Sequence, residues 1–291
     1  MTTALEAFET YRSLLFSIAY RMLGSAMEAE DMVQETFVRF RQVTPDSLQS
    51  AKAYLTTIVT RLCLDELKSA RSQREQYVGM WLPEPVQTDD APAAVMSQHE
   101  SIAMAFLVIL EHLSPIERAV YLLRTVFDYS YTEIAQILGK NEANCRRYYH
   151  NAKTYLQEKR PRFTPASGEQ QKIVERFMMM LTTGDIAQMT DLLTEDAILY
   201  GDGGGKVPSI RKPLHGRDKI IKLFTGLLHK APEGARAEIA QLNGECGIIT
   251  YVHDEIFMVS IVSISDERIH TIHNVLNPDK LAYLNKRKDE R

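Results

Sequence analysis

Apolar residues recur every three to four positions through the first half of the chain and give way to β-branched alternation near its end. Leu14, Leu15, Ile18, Ala19, Met22 and Leu23 form one amphipathic stripe, stopped at Gly24. Ser25 stands where a cap belongs, ahead of a helix over 25–41. Glu28, Glu30 and Asp31 lie in its first turns, where the helix dipole favours acids, and Met32, Val33, Thr36, Phe37 and Phe40 point inward. After a polar loop at Pro45, a long helix is predicted from about Ala51 to Gln76. The prolines within 80–100 rule out a regular helix there, and 101–112 predicts a buried helix leading to Pro115. From Glu169 the texture changes. Ile173, Val174, Phe177, Met178 and Leu181 predict a helix stopped at Gly184, and Ile186, Met189, Leu192 and Leu193 predict another. Ala197–Tyr200 reads as a short strand and Arg217–Leu228 as a helix. Strands follow around Ala237–Leu242, Gly247–Tyr251, Ile256–Ile264 and Arg268–Leu276. Helices followed by a run of antiparallel strands imply an α+β domain whose curved sheet closes on helices.

Tyr129–Leu156 reads as two short helices with a tight turn between them. Thr132 is the expected cap of the first, Ile134, Ala135, Ile137 and Leu138 are its apolar side, and Gly139 permits the left-handed stop. Asn141 caps the second, whose inward stripe is Cys145, Tyr149, Ala152 and Leu156. Asn144, Arg146, Arg147, His150 and Lys153 fall on the other faces. This is a helix-turn-helix pattern with the basic helix second, where a major-groove reader belongs. A plain helical hairpin with solvated charges shares that periodicity. Charge separates the two readings. Lys140, Arg146, Arg147, Lys153, Lys159, Arg160 and Arg162 face only Glu142 and Glu158 locally, in a chain of net charge -4. A cationic cluster in an acidic chain is the footprint of phosphate contacts.

At 291 residues the chain has room for two or three small domains. The apolar run Ile102–Leu110 is too short to span a bilayer, and the acid-bearing N-terminal stretch lacks the pattern of a signal peptide. Cys63, Cys145 and Cys246 sit far apart among apolar residues, as buried free thiols in a reducing cytoplasm do. Neither CxxC nor HExxH occurs, so no metal site and no cofactor is expected.

The stretches AEDMVQETFVRF (29–40) and AYLTTIVTRLCLDELKSARSQRE (53–75) resemble the first conserved domain of bacterial RNA polymerase sigma factors of the extracytoplasmic-function class. LSPIERAVYLLRTVFDYSYTEIAQILGKNEANCRRYYHNAKTYL (113–156) resembles that family's second domain. WLPEP (81–85), DGGGK (202–206) and NPDKL (277–281) match a subgroup with a SnoaL-like cone at the C-terminus. The resemblance implies two all-α sigma domains followed by an α+β SnoaL-like cone with a curved antiparallel sheet. The boundaries it suggests are 1–79, a linker at 80–100, 101–163, and a regulatory domain at 168–291. It implies core RNA polymerase and promoter DNA as partners, with Asp31, Gln34, Glu35 and Phe37 on the polymerase clamp. Tyr54, Arg61, Lys68, Arg71 and Arg74 would hold the −10 element, for which base flipping needs an aromatic pocket and backbone cations. Asn141, Glu142, Asn144, Arg146, Arg147 and Lys153 would serve the −35 element. Trp81, Leu82, Pro83, Glu84 and Pro85, then Asp202, Gly203, Gly204, Gly205 and Lys206, then Asn277, Pro278, Asp279, Lys280 and Leu281 are expected contact elements, and the cone is expected to pack on the sigma domains with Asp202–Lys206 near the linker or the first domain. Replacing Asp202 and Lys206 together by alanine is expected to alter transcription without unfolding either half.

Other chemistry is weaker. GDGGGK lacks the Walker spacing, and Val207-Pro208 follow its lysine. A cone usually holds a cavity, and Asp202, His215, His253, Asp254, His270 and His273 are its acid–base candidates. No fixed spacing unites them, and His270 and His273 face opposite sides of a strand. The alternatives are a bifunctional protein whose last domain is a small-molecule isomerase, cyclase or ligand sensor, and a helix-turn-helix repressor that never touches polymerase.

Overall fold

Three helices open the chain: α1 (Ala4–Leu23), α2 (Ala26–Phe40) and α3 (Ala51–Glu75). In this computed structural model the residues described are 4–43, 48, 50–88, 103–159, 168–183, 186–228 and 232–289. They group into two units, one of 4–75 and 106–159, the other of 76–88, 103–105 and 168–289. In the first unit the α1 stripe buries Leu15, Ile18, Met22 and Leu23 against Val33 and Phe40 of α2 and Leu55, Val59 and Cys63 of α3. Ser25 caps α2, accepting from the Glu28 N–H at 3.1 Å. All three cysteines are buried and free.

The chain continues through α4 (Met104–Leu110), in the first unit from Phe106 on, and then α5 (Pro115–Thr125), α6 (Tyr131–Leu138) and α7 (Glu142–Lys159). The cap of α6 is Ser130, not Thr132. Ser130 Oγ accepts from the Glu133 N–H at 3.3 Å, and the Glu133 carboxylate accepts from the Ser130 N–H at 2.8 Å. This reciprocal box satisfies two helix-end donors, which a lone threonine cap would not. Thr132 instead donates to Glu142 at 2.7 Å, tying α6 to α7. Gly139 ends α6 in the left-handed region at φ 61, and an added Cβ there would meet nothing within 4 Å. Gly139→Ala should therefore cost only the backbone penalty, about 1–2 kcal/mol, read as a lowered melting temperature of this unit.

The second unit is α8 (Gly168–Thr183), α9 (Ile186–Leu192), β1 (Leu193–Asp202), β2 (Leu214–His215), α10 (Arg217–Leu228), β3 (Ala235–Leu242), β4 (Glu245–Val252), β5 (Glu255–Ser265), β6 (Arg268–Val275) and α11 (Pro278–Asp289). Its sheet has the order β2-β1-β6-β5-β4-β3. Asn243-Gly244, His253-Asp254 and Asp266-Glu267 all take positive φ, the geometry that two-residue hairpins need. The α+β class is as expected, with three differences. The pair β1–β6 is parallel, because β1 leads into α10 and the chain returns beside it only after the β3–β6 meander. Leu193 begins β1 rather than ending a helix. NPDKL, above only a contact motif, opens a helix: Asn277 Oδ1 accepts from the Asp279 N–H at 3.2 Å, and Pro278 takes the first position. One sheet face, with Ala197, Leu199, Ile248, Val262 and Ile272, packs on Val174, Phe177, Ile220 and Phe224 of α8 and α10. The other carries Tyr200, Asp202, Glu245 and His273. Among the described residues, no helix is long and apolar enough to cross a membrane.

Candidate nucleic-acid interface and a buried linker clasp

Helix α7 begins on Asn141, whose Oδ1 accepts from the Asn144 N–H at 2.8 Å. Glu142 accepts from Thr132 and, at 3.0 Å, from Arg146, and these donors hold its carboxyl below the usual range. Arg146 also lies 4.5 Å from the Tyr131 ring centre. Asn141, Glu142 and Arg146 are thus engaged in building the turn, whereas Arg147 and Lys153 are exposed on α7 and stack loosely on Tyr148 and Tyr149. Charged tips beyond aromatic stems suit phosphate and base-edge contacts.

The candidates on α3 are spread along it. Tyr54 is half-buried, 6.3 Å from Phe40, and Lys68 is exposed and paired with Asp65 at 2.8 Å. Arg61 donates from Nε to the Ile137 carbonyl of α6 at 3.0 Å. The side chains of Arg71 and Arg74 lie outside the described residues. On α2, Asp31 and Gln34 are exposed, while Glu35 pairs with Arg39 at 2.7 Å. Phe37 is half-buried with its ring 4.8 Å from Phe8, so it is largely a packing residue of the helix pair.

The three short motifs meet inside the second unit. Leu82, Pro83, Glu84 and Pro85 are buried and Trp81 is half-buried. The strap they begin runs beside the end of β3: Thr88 N–H donates to Gln241 O at 2.9 Å, Asn243 N–H to Val86 O at 2.9 Å, and Val86 N–H to Asn243 Oδ1 at 3.0 Å. At the end of β1, Asp202 is 0% exposed. Its carboxylate accepts from Tyr77 OH at 2.6 Å, Lys280 Nζ at 2.7 Å, Leu82 N–H at 2.8 Å and Gly204 N–H at 3.0 Å. Lys280 Nζ also donates to Leu82 O and lies 4.0 Å from the Trp81 ring centre. Asn277 Nδ2 donates to Tyr77 OH at 2.8 Å. Burial and the neighbouring Asp202 push the Tyr77 phenol up, so it stays a donor. A charge pair removed from water is tolerable only when its remaining valences are satisfied, and here they are. Pro278 sets the first turn of α11 and Leu281 is buried beneath it, while Lys206 and Asp279 pair at 2.5 Å on the exposed rim. Gly203 would drive a Cβ into Val207 O, and Gly205 sits at φ 71 over Val78. Gly204, at φ 60, would drive one into the Asn277 amide. Gly204→Ala should thus cost more than the ~1–2 kcal/mol of the backbone alone, which thermal melting can read. Tyr77 lies outside WLPEP, and only its position just before that motif hinted at its part.

With its carboxylate enclosed by four donors, Asp202 is not placed as a general base. His215 and His253 are exposed, Asp254 approaches Arg236 at 3.4 Å, and His270 approaches Asp196 at 3.7 Å. His273 is buried, stacked on Tyr200 at 5.1 Å, and burial pushes its pKa down to about 3. These groups do not converge, and among the described residues no cluster suited to a metal ion occurs.

Glu245 opens β4 and accepts from Met104 N–H at 3.1 Å and Ser263 Oγ at 3.4 Å. Burial pushes its carboxyl up to about 7. A folded-state pKa raised above the unfolded value means that the folded unit binds the proton more tightly. Stability is then greatest below the unfolded value and falls as pH rises toward 7, by roughly 3 kcal/mol at most. His273 acts in the opposite sense, losing stability as pH falls from its ordinary value toward 3. Glu245→Gln should remove the fall between about pH 4.5 and 7 and raise the melting temperature at pH 8, as a pair of pH–melting curves would record.

Residues 7–73 match Sigma-70 region 2, and residues 103–156 match Sigma-70 region 4. The chain is 33% identical over 292 residues to the ECF RNA polymerase sigma factor SigJ of Mycobacterium tuberculosis, covering 94% of this chain and 92% of that protein. It is 25% identical over 284 residues to the probable ECF sigma factor SigI of the same species, covering 94% and 93% of the two. The crystal structure of M. tuberculosis SigJ superposes with a TM-score of 0.78 at 30% identity, over 96% of this chain and 98% of that one. With both sigma regions in place and this similarity along nearly the full length, the chain belongs to the extracytoplasmic-function family of RNA polymerase sigma factors.

Proposed function

We propose that this sigma factor is regulated by its own C-terminal domain, which grips the linker between region 2 and region 4. The observation that carries the reading is the burial of the Asp202–Lys280 pair against Leu82 of the linker. Region 2 ends at residue 73 and region 4 begins at residue 103, so the strap at 76–88 is linker by sequence and part of the C-terminal unit by packing. While gripped, Leu82–Val86 are buried and cannot follow a positive channel of polymerase. A modest, partly polar contact within one chain can open when a partner binds better to the open form. The site of action is the cytoplasm, where polymerase and promoter are found.

Lys280→Met tests this in the full chain. Chymotrypsin should cut faster at Tyr77, Trp81 and Leu82, and the yield of promoter-directed transcript should change in parallel. Faster cutting with unchanged yield would leave the grip structural and the regulatory role refuted.

Promoter reading is assigned to α7, with Arg147 on a base edge and Lys153 on phosphate. Arg147→Ala should weaken promoter binding by about 1–3 kcal/mol, and unequally among −35 sequences. Equal weakening on every sequence would reduce Arg147 to a phosphate contact.

A further inference from the structure

A second run of cations lies in the C-terminal unit. From Gly203 to Lys222, six cations (Lys206, Arg211, Lys212, Arg217, Lys219 and Lys222) stand against one acid, Asp218, in a chain of net charge -4. Lys206 is paired with Asp279, and Arg217 donates to Thr190 O at 3.3 Å. Arg211, Lys212, Lys219 and Lys222 are exposed, and among the described residues none of the four makes an ion pair or a side-chain hydrogen bond. Glu195 and Asp196, the exposed acids of β1, lie at the end of that strand away from the loop that follows Asp202.

The backbone that carries them is fixed. Lys206 N–H and Val207 N–H both donate to Gly203 O, at 3.0 and 3.2 Å. Ser209 and Ile210 cover Gly201, where an added Cβ would come within 2.6 Å of Ser209 Oγ and 2.8 Å of the Ile210 side chain. The Arg211 Cα lies 4.0 Å from where a Cβ on Gly79 would stand, so the strap borders the loop on its other side. Leu214 and His215 then pair with Leu199 and Ile198 of β1. In α10, Ile220, Ile221 and Phe224 are buried, which leaves Lys219 and Lys222, three positions apart, together on the outer face. Cations displayed from ordered backbone lose little freedom on binding, so more of their attraction for an anion survives as affinity.

The partner these groups fit is the backbone of duplex DNA. Separate, unpaired cations suit a row of phosphates, and no Phe, Tyr or Trp lies between Gly203 and Lys222 to stack an unpaired base. Reach favours DNA beside the −10 element. Helix α3, assigned to that element, ends at Glu75, and the strap borders the loop at Gly79. The four residues of chain between them have a contour of at most about 14 Å, against roughly 34 Å for one turn of B-form DNA. We infer that Arg211, Lys212, Lys219 and Lys222 give the C-terminal domain a DNA contact of its own, a sequence-independent grip on duplex phosphates next to the −10 element. The inference goes beyond the grip on the linker and rests on the assignment of α3 to that element.

The test uses the full chain with core RNA polymerase on a duplex promoter fragment, with affinity measured over a series of salt concentrations. Each phosphate contact contributes about 0.9 to the slope of log affinity against log salt. Arg211→Gln with Lys212→Gln should flatten that slope by about 1.8, and Lys219→Gln with Lys222→Gln by as much again. All four side chains are exposed, so the melting temperature should match the parent's. Lys172→Gln with Arg176→Gln, which neutralises two exposed cations of α8, is the control and should leave the slope unchanged. Lys212→Cys carrying a photocrosslinker, in a chain whose own cysteines are buried, should attach to promoter DNA within about one turn of the −10 element. Slopes equal to the parent's in both double variants would overturn the inference. Crosslinks to polymerase subunits alone would also overturn it, in favour of an acidic protein surface. Lys68→Gln on α3 separates this inference from the assignment beneath it. A flattened slope there with none in the cone variants overturns the cone's contact alone, whereas no change in any of them overturns the assignment of α3 as well.

Discussion

Asp202→Ala should destabilise the C-terminal unit by about 3–5 kcal/mol, the cost of leaving one member of a buried ion pair without the other. The shift in its melting temperature should be on the order of 10 °C or more. Removing the carboxylate takes the Asp202 counter-charge from Lys280 Nζ, which is 6% exposed as a residue, and deprives Tyr77 OH, Leu82 N–H and Gly204 N–H of their acceptor. Lys206→Ala should be nearly silent by comparison. Its bridge to Asp279 joins side chains 54% and 63% exposed, and exposed pairs contribute about 0–1 kcal/mol. The burial of Asp202 and the exposure of Lys206 thus predict unequal effects of alanine at the two positions. Trp81, the chain's single tryptophan, lies against Lys280, so its fluorescence reports the event directly. An unchanged melt for Asp202→Ala would mean that the clasp contributes no stability.

Charge reversal at Asp31 and Glu35 should abolish holoenzyme formation while leaving α2 folded. Asp31 is exposed and Glu35 partly so, on the flank of α2 away from buried Val33 and Phe40. Their replacement by arginine removes no core contact, but it breaks the Glu35–Arg39 pair and places cations on the proposed clamp-facing surface. The acids of α2 imply a basic partner surface, and like charges brought together across such an interface cost several kcal/mol, equivalent to a loss of at least about 100-fold in affinity. Co-elution with core polymerase is the readout. Unchanged co-elution would take this surface out of the interface. Phe37 is not part of the test, because its packing on Phe8 would confuse loss of binding with loss of fold.

The helical half was legible because each boundary carries local chemistry. Ser25, Asn141 and Gly139 act where their side chains or φ freedom place them. Thr132 misled because two hydroxyl residues stand close together, and only Ser130 has a glutamate three positions on to complete the box. In the α+β half, β-branched residues located β3 to β6 to within two residues, although much of β4, β5 and β6 is buried on both faces. The β1–β6 pairing escaped, because a parallel neighbour is chosen by tertiary return of the chain and leaves no local mark. The motifs around Asp202, Leu82 and Asn277 suggested contact surfaces. Their convergence on a single buried carboxylate was hidden, because it depends on side chains separated by up to 200 positions. The role of Arg61 was hidden for the same reason: an exposed arginine on a helix looks alike whether its partner is phosphate or a carbonyl of another helix.

Run-off transcription from a single promoter template, with core polymerase supplemented either by the full chain or by a chain ending at residue 165, tests the central claim most directly. Expected is a transcript from one defined start with both proteins, absent with core polymerase alone, and a yield that differs between the two. Equal yields at every protein concentration would contradict regulation by the C-terminal domain, and absence of a defined start with either protein would contradict promoter-directed initiation itself.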